Sequence, residues 1–279
     1  MMKPVKTIFT VLLFLTLIVC YTQPTLAADA QLLMATTTST DNTGLLDNLS
    51  PAFTKATGIE LKWVATGTGK ALKLGQNCDV DVLLVHAPPA EKKYVADGYG
   101  IERREIMYND FVIIGPKADP AAIKGKDISS ALKIIRESGS TFVSRGDNSG
   151  TNKKEKLLWG NANLPLPEKE SWYVQTGQGM LATINITEER SGYTMTDRGT
   201  YIKYEANQNG NPALKIIVEG DDILLNQYSV ICVNPANCKN ANIKLARQFS
   251  EWMAGDEAQK MIADFKLLGK TLFVPNAKK

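Results

Sequence analysis

Leu32-Leu33-Met34-Ala35-Thr36 runs directly into Thr37-Thr38-Ser39-Thr40, and Leu45, Leu46, Leu49 and Phe53 follow at helical spacing. The apolar run predicts a buried strand, and the spaced residues predict one face of a helix over 45–56. The same unit recurs: 59–64 precedes a helical 70–74, and 80–85 precedes 90–96. Such strand–helix repetition is the rhythm of a parallel sheet covered by helices, so the expected class is α/β. Farther along, strands are expected at 106–115, 141–144, 171–174 and 228–233, with helices at 130–137 and 153–159. Residues 243–253 and 258–265 again show helical spacing, so the chain is expected to end on helices.

The loops between these elements carry the chemistry. Five hydroxyl residues, Thr36 to Thr40, stand at the first helix entrance, whereas a helix cap needs one. The second strand runs into Ala65-Thr66-Gly67-Thr68-Gly69-Lys70, where Gly67 and Gly69 would let the main chain fold closely around an anion, with Thr68 as donor. This is not a nucleotide-binding P-loop, which needs Gly and Ser or Thr where Val64 and Ala71 stand. A third loop reads Arg145-Gly146-Asp147-Asn148-Ser149-Gly150-Thr151. Arg145 offers a planar fork of donors that Asp147 can hold, Ser149 and Thr151 add hydroxyls, and Gly150 allows close backbone approach at a helix start. Thr176-Gly177-Gln178-Gly179-Met180 is a fourth glycine-bearing turn before a helix. Lys153, Lys154 and Lys156 read as a solvated helix face, because helical spacing cannot aim all three at one small ligand. Arg198 reads as an ion-pair partner, with Asp197 adjacent. The Arg145-Gly146-Asp147 tripeptide lies in a strand-to-helix turn, which argues against a cell-adhesion role.

Lys3 and Lys6 precede an apolar run over 8–19 and then Thr25-Leu26-Ala27, the pattern of a secretory signal peptide (1–27) cleaved after Ala27. A lipid anchor at Cys20 is disfavoured, because Ile18-Val19 lack the small residues expected beside a lipidated cysteine. Removing Lys3 and Lys6 from 32 basic residues leaves 30 against 29 acidic, a net charge of +1, which argues against nucleic acid as partner. Cys232 and Cys238 flank a turn-like spacer and could close a disulfide loop in an oxidising compartment, leaving Cys78 unpaired. With His86 the sole histidine, no zinc-type ligand cluster is available, and no metal bound as a free cation is expected.

Two long extended segments, 108–115 and 224–233, bracket the middle of the chain as candidate hinge strands. Residues 28–110 together with 228–279 would form one α/β lobe and 111–227 the other. A ligand would then lie between them, where strand ends and helix starts converge.

Taken together, Thr36-Thr37-Thr38-Ser39, Val64-Ala65-Thr66-Gly67-Thr68-Gly69, Asp81-Val82-Leu83-Leu84-Val85-His86-Ala87-Pro88, Met107-Tyr108-Asn109-Asp110-Phe111, the 144–151 loop, Gly177-Gln178-Gly179-Met180 and Thr196-Asp197-Arg198 resemble the periplasmic tungstate-binding proteins of the Tup type. The resemblance spans nearly all of the mature chain. It implies a type II periplasmic binding protein fold, two α/β lobes joined by two hinge strands, that gives up its oxyanion to the permease and ATPase subunits of an ABC importer. The ligand implied is tungstate or molybdate, without a cofactor, on a monomeric periplasmic protein. Thr37, Thr38, Ser39, Thr68, Arg145, Ser149, Gly150 and Thr151 are the expected ligand-binding residues, supported by Asp147, Gly67, Gly69 and Gly177. One departure from the family pattern is Asn152, where a histidine is expected.

Related phosphate-binding proteins share an Arg-x-Asp-x-Ser-Gly-Thr loop but place an aspartate where His86 stands. That carboxylate accepts a proton from phosphate, whereas tungstate and molybdate are fully deprotonated near neutral pH and need donors only. His86 itself reads as a strand-end core residue or, alternatively, as a donor beside the ligand. Competing readings are a binder of another tetrahedral oxyanion such as phosphate, a sensory oxyanion-binding domain, and a hydrolase built on Ser149, His86 and Asp147. No Gly-x-Ser-x-Gly elbow surrounds Ser149, which weakens the last.

Overall fold

The structure, a computed structural model, describes residues 30–278. The expected signal peptide and Cys20 lie outside the described residues. In chain order the elements are β1 (Ala30–Thr37), α1 (Thr38–Asp41), α2 (Leu45–Thr57), β2 (Ile59–Thr66), α3 (Thr68–Gln76), β3 (Val82–Val85), α4 (Pro88–Ala96), β4 (Gly100–Pro116), α5 (Ile128–Ser138), β5 (Phe142–Ser144), α6 (Gly150–Asn161), β6 (Tyr173–Gln175), α7 (Met180–Glu189), β7 (Thr194–Asp197), α8 (Arg198–Asn207), β8 (Leu214–Val218), β9 (Leu225–Val233), α9 (Ile243–Ala254), α10 (Asp256–Asp264), β10 (Lys266–Leu267), β11 (Lys270–Thr271) and β12 (Val274–Pro275).

The apolar spacing of α2 buries Leu45, Leu46, Leu49 and Phe53 against the first sheet, and Gly58 ends the helix at φ +71, a conformation that suits a residue without Cβ. Phe53 meets Phe249 of α9 edge-on at 5.2 Å, so helices distant in sequence share one core. Burial of each such side chain stabilises the fold by about 1.5–3 kcal/mol.

The first sheet has the order β2-β1-β3-β9-β4-β12. Its β1, β2 and β3 are parallel as the strand–helix repeats predict, but β9 runs antiparallel to β3 and to β4. The chain does not end on helices. After α10 it returns through short strands, and β12 pairs with β4 at Val274↔Tyr108.

A second α/β layer is built around the other end of β4. This strand pairs with β9 as far as Asp110 and with β7 from Phe111 onward, then with β8. β5 and β6 are parallel, and Phe142 bridges to Tyr193 beside β7. Separate apolar clusters lie under the two sheets: Phe111, Phe142, Trp159 and Tyr193 belong to one, while Leu32, Phe53, Val230 and Phe249 belong to another.

The cysteine expectation is corrected. The disulfide joins Cys78 to Cys238, with Cα atoms 5.2 Å apart, and Cys232 is a free buried thiol. Alternation along β9 gives the reason: Val230 and Cys232 face the α2/α9 side of the sheet, whereas Ile231 and Val233 face the side that also holds Cys238. The five-residue spacer is irrelevant once the two sulfurs lie on opposite faces. Burial pushes the Cys232 thiol up to about 12, so it is an inert packing group.

Candidate oxyanion site

The cleft between the two sheets has a volume of about 500 Å³, and Thr37, Thr38, Ser39, Thr68, Arg145, Ser149, Gly150 and Thr151 all line it. Gly67 lines it too, whereas Asp147, Gly69 and Gly177 are not among the lining residues. The two walls face each other closely: a Cβ built on Gly150 would lie 4.0 Å from Thr68 Oγ1.

Of the five hydroxyls from Thr36 to Thr40, at the end of β1 and in α1, two are structural. Thr36 donates to the Leu84 carbonyl at 2.8 Å, and Thr40 is buried 2.7 Å from Thr37 Oγ1. Thr37 caps the turn of α1 by accepting from Thr40 N, while Thr38 and Ser39 are exposed to the cleft. Capping and lining are therefore compatible in one residue, because a hydroxyl that accepts with a lone pair still has a hydrogen to give.

On the opposite wall, β5 ends at Ser144 and α6 begins at Gly150, three residues earlier than its sequence spacing suggests. The Gly150 and Thr151 amides thereby fall in a first helical turn, where the helix supplies them no carbonyl. Ser149 caps that turn by accepting from Asn152 N. Arg145 donates from Nη2 to Asp147 Oδ2 at 2.5 Å, and Asp147 Oδ1 accepts from Ser149 N at 3.1 Å. Burial alone would raise the Asp147 carboxyl, but the Ser149 hydrogen bonds and the Arg145 charge outweigh it and hold the group below its usual range. The Arg145 Nε is buried and has no hydrogen-bond partner among the described residues. An unpaired guanidinium nitrogen in this position is costly unless an acceptor arrives.

The loop rests on a buried polar cluster. Ser144 Oγ donates to Glu155 at 2.5 Å and accepts from Gly146 N and Asn152 Nδ2, each at 3.2 Å. Tyr173 and Trp159 also donate to Glu155. Asn152, the departure from the family pattern, is 1% exposed and accepts from Asn148 N, so it braces the loop from within. Gly146 has φ +61, and its Cβ would come within 2.8 Å of Gln175, so this position requires glycine. Gly177, also at positive φ, donates its amide to the Arg145 carbonyl at 2.8 Å, which makes it a support for the arginine. Neither Gly67 nor Gly69 has positive φ, and a Cβ would meet nothing within 4 Å at either, so backbone conformation and protein packing do not by themselves require glycine there.

Three side chains are reassigned. His86 is not a core residue: it lines the cleft, with Nε2 2.9 Å from Thr37 Oγ1 and 3.1 Å from Ser39 Oγ, and Nδ1 2.9 Å from Asn226 Oδ1. Lys154 is not on a solvated face, since its Nζ donates to the Leu225 carbonyl and sits over the Phe111 ring, and burial lowers its pKa. Arg198 is an ion-pair residue as expected, but its partners are Asp110 and Glu219. Asp197, from the Thr196-Asp197-Arg198 motif, also lines the cleft, as do Asn226, Tyr228 and Lys203, which no local motif marks. Asp197 is no free carboxylate, as its oxygens accept from Thr200 N and Oγ1 at 2.9 and 2.7 Å.

The profile of the PBP superfamily domain matches residues 22–257. The tungstate-binding protein TupA of Campylobacter jejuni is 56% identical over 240 residues, 86% of this chain and 89% of that protein. TupA of Peptoclostridium acidaminophilum is 47% identical over 257 residues, 90% and 88% of the two chains. The solved tungstate-binding protein TupA of Desulfovibrio alaskensis G20 superposes with a TM-score of 0.87 at 65% identity, covering 89% of this chain and 100% of that one. The fold is that of a periplasmic binding protein, and these relatives are binding proteins. The chain belongs to the PBP superfamily and, within it, to the tungstate-binding family of the Tup type.

Proposed function

We propose that this chain captures tungstate, with molybdate as an alternative ligand, and delivers it to the permease and ATPase subunits of an ABC importer. The observation that carries the reading is the convergence on one cleft of Arg145, whose buried Nε has no partner among the described residues, with the hydroxyls of Thr37, Thr38, Ser39, Thr68, Ser149 and Thr151. Thr37, Thr38, Ser39 and Thr68 would contact the dianion from one lobe, and Arg145, Ser149, Gly150 and Thr151 from the other. Residues 28–110 with 228–279 would form the first lobe and 111–227 the second, moving about β4 and β9. The cleft of about 500 Å³ has room for one tetrahedral ion, and its walls already stand close together at Gly150 and Thr68.

Each charge-assisted hydrogen bond would contribute about 1.5–3 kcal/mol. Five or six would be enough for nanomolar affinity, about 12 kcal/mol, after desolvation and closure costs. The donor-rich, acceptor-poor wall suits a fully deprotonated ion better than one that carries its own proton. A binder fits the geometry better than a hydrolase, because His86 bonds Thr37 and Ser39 rather than Ser149, and Ser149 caps α6. The protein would act as a monomer in the periplasm. Among the described residues no helix is long and apolar enough to cross a membrane. A competition titration with tungstate, molybdate, sulfate and phosphate tests the reading: tungstate should bind tightest, and preferential phosphate binding would overturn it.

A further inference from the structure

We propose that His86 is a positioning residue that sets the direction of the Thr37 and Ser39 hydroxyl hydrogens, and that it takes up one proton on Nε2 when the oxyanion is captured. The proposal rests on the site reading above and extends it to a residue which that reading leaves out of the donor set.

The hydrogen-bond chain fixes the direction. Asn226 Nδ2 donates to Asn109 Oδ1 at 2.7 Å, which turns Asn226 Oδ1 toward His86. With the amide so oriented, His86 Nδ1 carries hydrogen and donates to Asn226, leaving the neutral ring's Nε2 as an acceptor. The hydrogen that Nε2 accepts must come from Thr37 Oγ1 or Ser39 Oγ, the two hydroxyls within reach. A hydroxyl has one hydrogen, so one of these two donors is turned away from the cleft while the ring is neutral. Asn109 and Asn226 are also register partners across β4 and β9, so the ring is anchored where the two long strands meet.

A dianion rewards both hydroxyls for turning toward it. That is achieved if a proton from solvent adds to Nε2, whose N–H then donates to Thr37 or Ser39 and releases the hydroxyl hydrogen to the anion. No bond between heavy atoms changes, and the added positive charge offsets part of the anion's. The groups facing the ring decide its empty state. Tyr228 stacks on it at 4.5 Å, and burial lowers its pKa, while the Asn226 hydrogen bond and the Asp197 charge act the other way. Arg145 and Lys203 line the same cleft, Arg145 paired with Asp147 and Lys203 donating to the Asn42 carbonyl. On the α4 side, Glu91 accepts from Ala87 N at 2.5 Å and is paired with Arg103. The empty ring is therefore neutral at pH 7, and anion binding favours its charged form. By linkage, affinity must rise as pH falls through the window between the empty and loaded titration midpoints.

His86 is the chain's single histidine, so its ring signals in an untagged protein need no assignment. Titration by nitrogen-detected NMR should find the empty ring as the Nδ1–H form with a midpoint below about 6.5. Saturating tungstate should raise that midpoint by about 1 to 3 pH units, the effect of a close opposite charge. Calorimetry in buffers of different ionisation heat should show fractional proton uptake per tungstate near pH 7. In His86→Gln the uptake should vanish and the affinity should become flat between about pH 6 and 8. Tungstate that binds with an unchanged histidine midpoint overturns the proposal and leaves the site reading standing. Proton uptake that survives in His86→Gln also overturns it, and absence of tungstate binding removes both.

Discussion

The two walls of the cleft solve the same problem by different means. The wall after β5 holds a charge, Arg145, and fixes it with Asp147, the Ser149 amide and the buried cluster of Ser144, Glu155, Tyr173 and Asn152. The wall after β1 holds no formal charge at its ligand face. It offers hydroxyls whose hydrogens are directed by neighbouring Thr40 and His86 and can be redirected without moving heavy atoms. One wall is rigid and charged, and the other is neutral and adjustable. The division places the strongest attraction where the backbone is best braced and leaves fine adjustment to groups that reorient without moving heavy atoms.

Removing the charge is the strongest way to break this comparison. Arg145→Ala should cost about 3–6 kcal/mol of tungstate binding, a hundredfold or more in calorimetry. Lys154→Ala should cost far less, because that lysine is committed to the Leu225 carbonyl and the Phe111 ring. Equal, small losses in both variants would show that the charged wall has been misassigned.

The disulfide sharpens the contrast in stability, since Cys78 and Cys238 both belong to the part of the chain around the first sheet. Cys78→Ala with Cys238→Ala should lower unfolding free energy by about 2–5 kcal/mol in urea. Tungstate affinity should hardly change, as neither residue lines the cleft. A large loss of affinity would mean that the adjustable wall depends on this staple.

Glu155→Gln tests the bracing directly. It places an amide hydrogen against donors from Ser144, Tyr173 or Trp159. A cost of about 2 kcal/mol in stability is expected, with about tenfold weaker binding as the arginine loop loosens. Unchanged affinity would show that the loop keeps its shape without the buried carboxylate. On the opposite wall Thr68→Val, which removes one neutral donor, should weaken binding by about 1.5 kcal/mol, roughly tenfold, with no loss of stability.

The smallest effect concerns acid. Asp147 is held below its ordinary range, so its contribution is present above the unfolded value and is lost only as pH falls through the lower folded value. In a His86→Gln background, tungstate affinity should therefore be flat down to about pH 5. A decline already at pH 6 would mean that Asp147 is not held by Arg145 and Ser149 as described.

The residues that make local structure were legible along the chain. Apolar spacing located α2, α9 and the parallel β1, β2 and β3, and the strand-end loops carrying Thr37, Thr68, Arg145 and Ser149 stood out as runs of hydroxyl, glycine and arginine. Less was legible where a residue's role depends on a partner far away in sequence. The return of the chain through β12 was missed because a two-residue strand has no periodicity to read. Cys232 and Cys238 looked like partners because they are close in sequence, yet strand alternation sends them to opposite faces.

By itself the sequence determined the α/β class and the chemical inventory of the anion loops, because those follow from side-chain period and residue type at strand ends. It also determined that the chain would hold one histidine and a small net charge of +3. Tertiary structure decided which hydroxyls face the cleft and which serve the backbone, as Thr36 and Thr37 differ only in the face their strand presents. It likewise decided the Cys78–Cys238 pairing and the binding of His86 to Asn226, whose separations of 160 and 140 residues no local pattern encodes. The physical reason is common to these cases. Hydrogen bonds and disulfides are short-range in space, whereas the sequence records only neighbourhood along the chain.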